Sequence, residues 1–82
     1  MNAHERVAKF ILNISDQRAR IGWQSNPISL PMSRQDIADY LGLTLETVSR
    51  EFSKLKSTNI IKFMTSKQIY LNNKATLSSI CN

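Results

Sequence analysis

Eighty-two residues suffice for one small domain with a single modest core, and a hydrophobic content of 41% excludes disorder over most of the chain. No apolar run is long enough to span a bilayer, the opening MNAHERVAKF has charges inside its most apolar stretch and so reads as no signal peptide, and the single Cys81 excludes an internal disulfide and fits a reducing cytoplasm. The net charge of +5 comes from residues 50–82, where six basic side chains face Glu51 alone; residues 1–49 carry five of each sign. Such a skew suits a polyanionic partner or, equally, a solubilising surface.

Ala3 to about Arg20 reads as an amphipathic helix, with Val7, Phe10, Ile11 and Ile14 at spacings of three and four and Arg6, Lys9 and Asn13 between them. His4, the only histidine, falls in the N-terminal segment as a flexible, exposed residue with no cysteine or acidic cluster at ligand spacing. Gly22–Pro27 is a loop by composition, in which Trp23 either covers the core or stands in solvent. Ile28–Leu30 reads as a short strand closed by Pro31.

The next helix has a marked start. Ser33 can cap it, and Asp36 three residues on makes a near capping box. Ile37, Ala38, Tyr40 and Leu41 supply its apolar face, and Gly42 sits where a left-handed terminal residue is wanted, with Leu43 beside it. Thr44 restarts the chain as an N-cap, and a helix burying Leu45, Val48, Phe52 and Leu55 should run to about Ser57–Asn59. Two helices joined by so short a glycine-containing connector cross steeply, with Ala38 and Val48 at the closest approach. Ile60–Met64 and Gln68–Asn72 then alternate as strands about Thr65-Ser66-Lys67, and Lys74–Ile80 closes the chain as a helix presenting Leu77 and Ile80. The order describes a mainly α domain with a small β-hairpin, a winged helix-turn-helix over residues 1–82.

Glu46, Ser49, Arg50, Ser53 and Lys54 line the outward side of the second helix of the pair. Base edges in a major groove meet the N-terminal part of such a helix: Arg50 can bond bidentately to guanine, Glu46 can accept from cytosine, and Ser49 suits a base edge. Lys54, Lys56, Lys62 and Lys67 suit phosphates, and Ser33, Arg34, Thr44, Thr47 and Ser53 complete the expected backbone contacts. Glu46 and Arg50 also stand at the spacing of a simple surface ion pair. The helix-turn-helix frame, the basic hairpin and the charge skew favour base reading. No catalytic set, metal site, cofactor or glycine-rich phosphate loop is expected, since Gly22 and Gly42 are the only glycines.

LPMSRQDIADYLGLTLETVSR resembles the helix-turn-helix of the Crp–Fnr transcription regulators; ERVAKFILNISDQR is similar to the helix that opens their C-terminal DNA-binding domain, and IIKFMTSKQIYLNNKATL to their wing and final helix. The resemblance spans about residues 5–78, and Glu46-x-x-Ser49-Arg50 matches the Fnr and nitrogen-fixation (FixK-like) branch. The cyclic-AMP receptor branch usually has Gly at the Ser49 position and a further Arg at the Leu45 position. The resemblance implies a cytoplasmic bacterial regulator reading a palindrome of TTGAT-type half-sites, with Arg50 on guanine and Glu46 on the opposing cytosine, and RNA polymerase as a further partner of the intact protein. Glu51 departs from the apolar or small residue of many members, with looser packing or weaker phosphate contact as the expected local effect. The family's sensor, dimerisation helix and iron–sulfur cysteines do not fit within these residues. The expectation is therefore an isolated C-terminal domain or a fragment, monomeric or weakly dimeric. A winged helix that binds protein without reading bases is the alternative; RNA is disfavoured because its deep, narrow major groove does not admit a rigid helix.

Overall fold

In the computed structural model, which describes residues 1–81, a capping box opens α1 (Ala3–Arg20): Asn2 Oδ1 accepts from the Glu5 backbone N–H at 2.8 Å, and Glu5 Oε1 accepts from the Asn2 N–H at 2.9 Å. After β1 (Ile28–Ser29), Ser33 and Asp36 open α2 (Arg34–Leu41) with a second capping box. Thr44 opens α3 (Leu45–Ser57) by accepting from the Thr47 N–H at 3.1 Å. Then come β2 (Ile61–Phe63), β3 (Gln68–Leu71) and α4 (Lys74–Cys81).

The first three helices end on one device. In each, a left-handed residue turns the chain and the next N–H reaches back five residues: Trp23 to Arg18 O past Gly22, Leu43 to Ala38 O past Gly42, and Ile60 to Leu55 O past Asn59. This is the Schellman arrangement, which satisfies carbonyls the helix leaves without partners. Glycine meets no Cβ penalty there, and asparagine is the side chain that tolerates the conformation best.

The sheet is antiparallel in the order β1-β3-β2, so β3 is central although it is last in sequence. Ile69 faces Ile28 on one side and Phe63 on the other, while Leu71 faces Ile61. The pleat sends Ile61, Ile69 and Leu71 into the core and leaves Lys62 and Tyr70 outside as a cross-strand pair. Asn26 extends the sheet with its side chain: its Oδ1 accepts from Leu71 N–H at 2.8 Å and its Nδ2 donates to Leu71 O at 3.0 Å. Buried Ser15 ties α1 to the same loop by donating to Ser25 O at 2.7 Å.

One core joins the layers: Val7, Ala8 and Ile11 from α1, Ile37 and Ala38 from α2, Val48, Phe52 and Leu55 from α3, and Leu77 from α4. Ala38 and Val48 are both fully buried where the two central helices meet, as their sizes imply. Two expected core residues are not in it. Tyr40 is 78% exposed: the buried stripe of the eight-residue α2 centres on Ile37 and Ala38, and Tyr40 leans from its flank onto Phe10, ring centroids 5.9 Å apart. Leu45 is 42% exposed because the buried stripe of α3 begins at Val48 and takes in Glu51. Trp23 stands in solvent, at 67% exposure.

Candidate nucleic-acid interface

With Val48, Glu51, Phe52 and Leu55 facing inward, α3 turns Glu46, Ser49, Arg50, Ser53, Lys54 and Lys56 to solvent. Its first turn is anchored twice. Thr44 Oγ1 accepts from Thr47 N–H and donates to Thr47 Oγ1 at 2.9 Å, which leaves the Thr47 hydroxyl proton for an outside acceptor. Among the described residues, Glu46, Ser49 and Arg50 form no ion pair and no side-chain hydrogen bond. The simple surface pair between Glu46 and Arg50 is therefore not made. All three polar groups keep their full bonding capacity at the exposed start of a rigid helix.

Glu51 is the buried exception. Its Oε1 accepts from His4 Nδ1 at 2.8 Å and its Oε2 from Lys54 Nζ at 3.3 Å, so the carboxylate bridges α1 and α3. An ionised carboxylate only accepts, so the bond requires the proton on His4 Nδ1. Burial pushes the Glu51 pKa up, but the hydrogen bonds and charges of His4 and Lys54 outweigh it and hold the carboxyl below its ordinary range. This corrects two expectations. His4 is an ordered, half-buried residue of α1, and Glu51 knits the packing together where looseness was expected. Lys54 remains exposed but shares its charge with Glu51.

Arg34, expected on a phosphate, lies half-buried at the start of α2. Its guanidinium carbon is 4.4 Å from the centroid of Phe52 on α3 and 5.5 Å from that of Phe63 on β2, and Nη2 donates to Ser66 O in the hairpin turn at 3.2 Å. Burial draws its pKa below the usual value, yet a guanidinium stays a cation at neutral pH. One side chain thus touches the bracing helix, the outward helix and the wing.

The remaining backbone candidates fall in separate places. Ser33 caps α2, Thr44 caps α3 with Thr47 in its first turn, Lys62 faces solvent across from Tyr70, and Lys67, whose carbonyl accepts from Leu30 N–H at 2.7 Å, occupies the exposed turn. Exposed Leu45 beside Glu46, expected in the core, and exposed Met64 and Tyr70 on the wing belong to the same surfaces, and none was expected there from the sequence. Strand alternation marks Tyr70 as outward. Nothing local marks the other two. Among the described residues there is no group of His, Cys, Asp and Glu placed to hold a metal ion, and no helix is long and apolar enough to cross a membrane.

Comparison with known proteins agrees with this geometry. Residues 5–80 match the Crp-like helix-turn-helix domain. The nitrogen fixation regulation protein FixK of Rhizobium meliloti is 42% identical over 80 residues, covering 98% of this chain and 36% of that protein. The fumarate and nitrate reduction regulatory protein of Yersinia pestis is 39% identical over 79 residues, 96% of this chain and 31% of that protein. The structure of FixK2 from Bradyrhizobium japonicum superimposes with a TM-score of 0.88 at 44% identity, over 99% of this chain and 39% of that one. The chain thus spans about a third of the length of these relatives. They are named as regulators, in keeping with the non-enzymatic reading of the sequence. A capped outward helix on a winged helix-turn-helix frame, matched along nearly its whole length, places the chain in the Crp-like helix-turn-helix family, the DNA-binding domains of Crp-family transcription regulators.

Proposed function

We propose that the domain binds double-stranded DNA in a sequence-specific manner, with α3 in the major groove of a TTGAT-type half-site. The observation that carries this reading is the set of Glu46, Ser49 and Arg50 on the exposed first turns of α3, without side-chain partners among the described residues. Arg50 reads guanine, Glu46 accepts from the opposing cytosine, and Ser49 bonds a base edge. Ser33, Thr44, Thr47, Ser53, Lys54, Lys56, Lys62 and Lys67 supply phosphate contacts that fix the register. The names of the relatives support a place in transcription regulation.

In an intact cytoplasmic regulator two such domains would occupy a palindrome and stand beside RNA polymerase. Taken alone, residues 1–82 bind one half-site at a time, as a monomer or weak dimer, with steep salt dependence. Fluorescence-anisotropy titrations of a TTGAT-type palindromic duplex and a scrambled duplex, at two salt concentrations, test the reading. Tighter binding to the palindrome that persists at the higher salt is expected. Equal, salt-sensitive binding to both overturns base reading, and no binding to either puts protein recognition in its place.

A further inference from the structure

The hairpin is short, three residues in β2 and four in β3, and its turn, Met64 to Lys67, is exposed throughout. A ribbon of this size holds its shape poorly without outside support. On the β1 side the support is the Leu30 N–H bond to Lys67 O. On the side of the central helices it is Arg34, whose Nη2 donates to Ser66 O while its guanidinium carbon lies over the Phe52 ring and near that of Phe63. The two rings are 6.2 Å apart and tilted by 43°, leaving an apolar edge that a flat cation covers well and a compact ammonium does not.

We propose that Arg34 is a positioning residue that clamps the hairpin turn to the outward helix and so sets where Lys67 meets the duplex, without a phosphate contact of its own. The proposal rests on the duplex-binding reading above. The guanidinium is half-buried, with its carbon 4.4 Å from the Phe52 ring centroid and a donor used on a backbone carbonyl, so contacts within the chain fix where it sits. Lys67, next to the carbonyl that Arg34 holds, is exposed and forms no ion pair among the described residues. Without Arg34 the turn would be tied only on its β1 side, by Leu30, and could swing Lys67 away from its phosphate while leaving Glu46, Ser49 and Arg50 in place.

The test combines Arg34→Lys, Arg34→Gln and Lys67→Ala, singly and as the double variant Arg34→Lys/Lys67→Ala, with circular dichroism confirming the fold of each. Lys67→Ala should weaken palindromic and scrambled duplexes alike by roughly 5–10-fold at ~0.1 M salt, the worth of one phosphate contact by counterion release. Arg34→Lys and Arg34→Gln should lose a similar factor and keep the preference for the palindrome, and adding Lys67→Ala to Arg34→Lys should cost less than about twofold more. Wild-type affinity in Arg34→Lys with loss in Arg34→Gln, or full additivity with Lys67→Ala, overturns the proposal in favour of a direct charge contact. Nitrogen-15 relaxation of the free protein supplies a reading independent of DNA. Order parameters at Ser66 and Lys67 should fall below about 0.6 in Arg34→Lys while those of Leu45–Ser57 hold; an unchanged turn overturns the clamp. A wild-type chain that binds no duplex defeats the proposed function, and the relaxation comparison still decides the clamp.

Discussion

His4 Nδ1 lies 2.8 Å from Glu51 Oε1, joining the first turn of α1 to the buried side of α3 across 47 positions of sequence. Because the folded Glu51 pKa is depressed, its carboxylate stabilises the fold at pH values above the unfolded glutamate pKa of about 4.3, and that contribution is lost as pH falls through the lower folded value. Glu51→Gln should therefore lower stability by about 1–2 kcal/mol at pH 7, most of it from the His4 bond, since Lys54 is 56% exposed and its pair is screened. Urea denaturation across the acid range checks this. The gap between variant and wild type should begin to close as pH falls below the unfolded glutamate value of about 4.3 and vanish below the depressed folded one; a gap independent of pH would mean that the charge contributes nothing.

Arg50→Ala should weaken a cognate duplex by about 1–3 kcal/mol and relax preference at one base pair, whereas Lys67→Ala weakens all sequences and lowers the salt slope by about one. Binding to a panel of single-base substitutions separates the two. Equal losses on cognate and scrambled DNA for Arg50→Ala would remove it from base reading.

Asn26→Ala should cost about 1–3 kcal/mol, because it strips partners from both the N–H and the carbonyl of buried Leu71. For a domain of this size each kcal/mol is worth roughly 4–8 °C in Tm. A melting temperature within a degree or two of wild type would mean that water replaces the amide at no cost.

Gly42→Ala should lower stability by about 1–2 kcal/mol through backbone strain alone. At φ 69° an added Cβ would meet nothing nearer than Arg6 Nη1 at 3.9 Å, so there is space but no relaxed conformation. Asn59→Gly, at φ 61°, should go the other way by a few tenths of a kcal/mol or stay neutral. Thermal unfolding of the pair shows a clear loss for Gly42→Ala and none for Asn59→Gly if conformation governs both positions.

What the sequence made legible is what is local. Ser33 with Asp36, Gly42 and Thr44 each announce a helix end within four residues, so the helix-turn-helix and the presentation of Glu46, Ser49 and Arg50 followed from the chain alone. Periodicity located the buried stripes less well at their margins: Tyr40 and Leu45 carry the right residue types, but a stripe has a centre that spacing does not fix, and both fell on its exposed border. Bonds between distant residues left no trace. Glu51 reads as a departure that loosens packing until α1 brings His4 to it, and nothing in the spacing of Arg34 tells that the hairpin brings Phe63 and Ser66 to it.

The connector between the central helices is tied at both ends, by the Leu43 N–H on Ala38 O and by the Thr44 cap, with no slack residue between. An α-helix turns about 100° per residue. With the rest of the fold held, adding a single amino acid there would rotate α3 by more than a quarter turn and carry Arg50 into the buried place of Glu51, whereas deleting one would carry Glu51 outward into the place of Arg50. The length of the Gly42–Thr44 segment thus decides which face of α3 is turned outward as much as the sequence of α3 itself does.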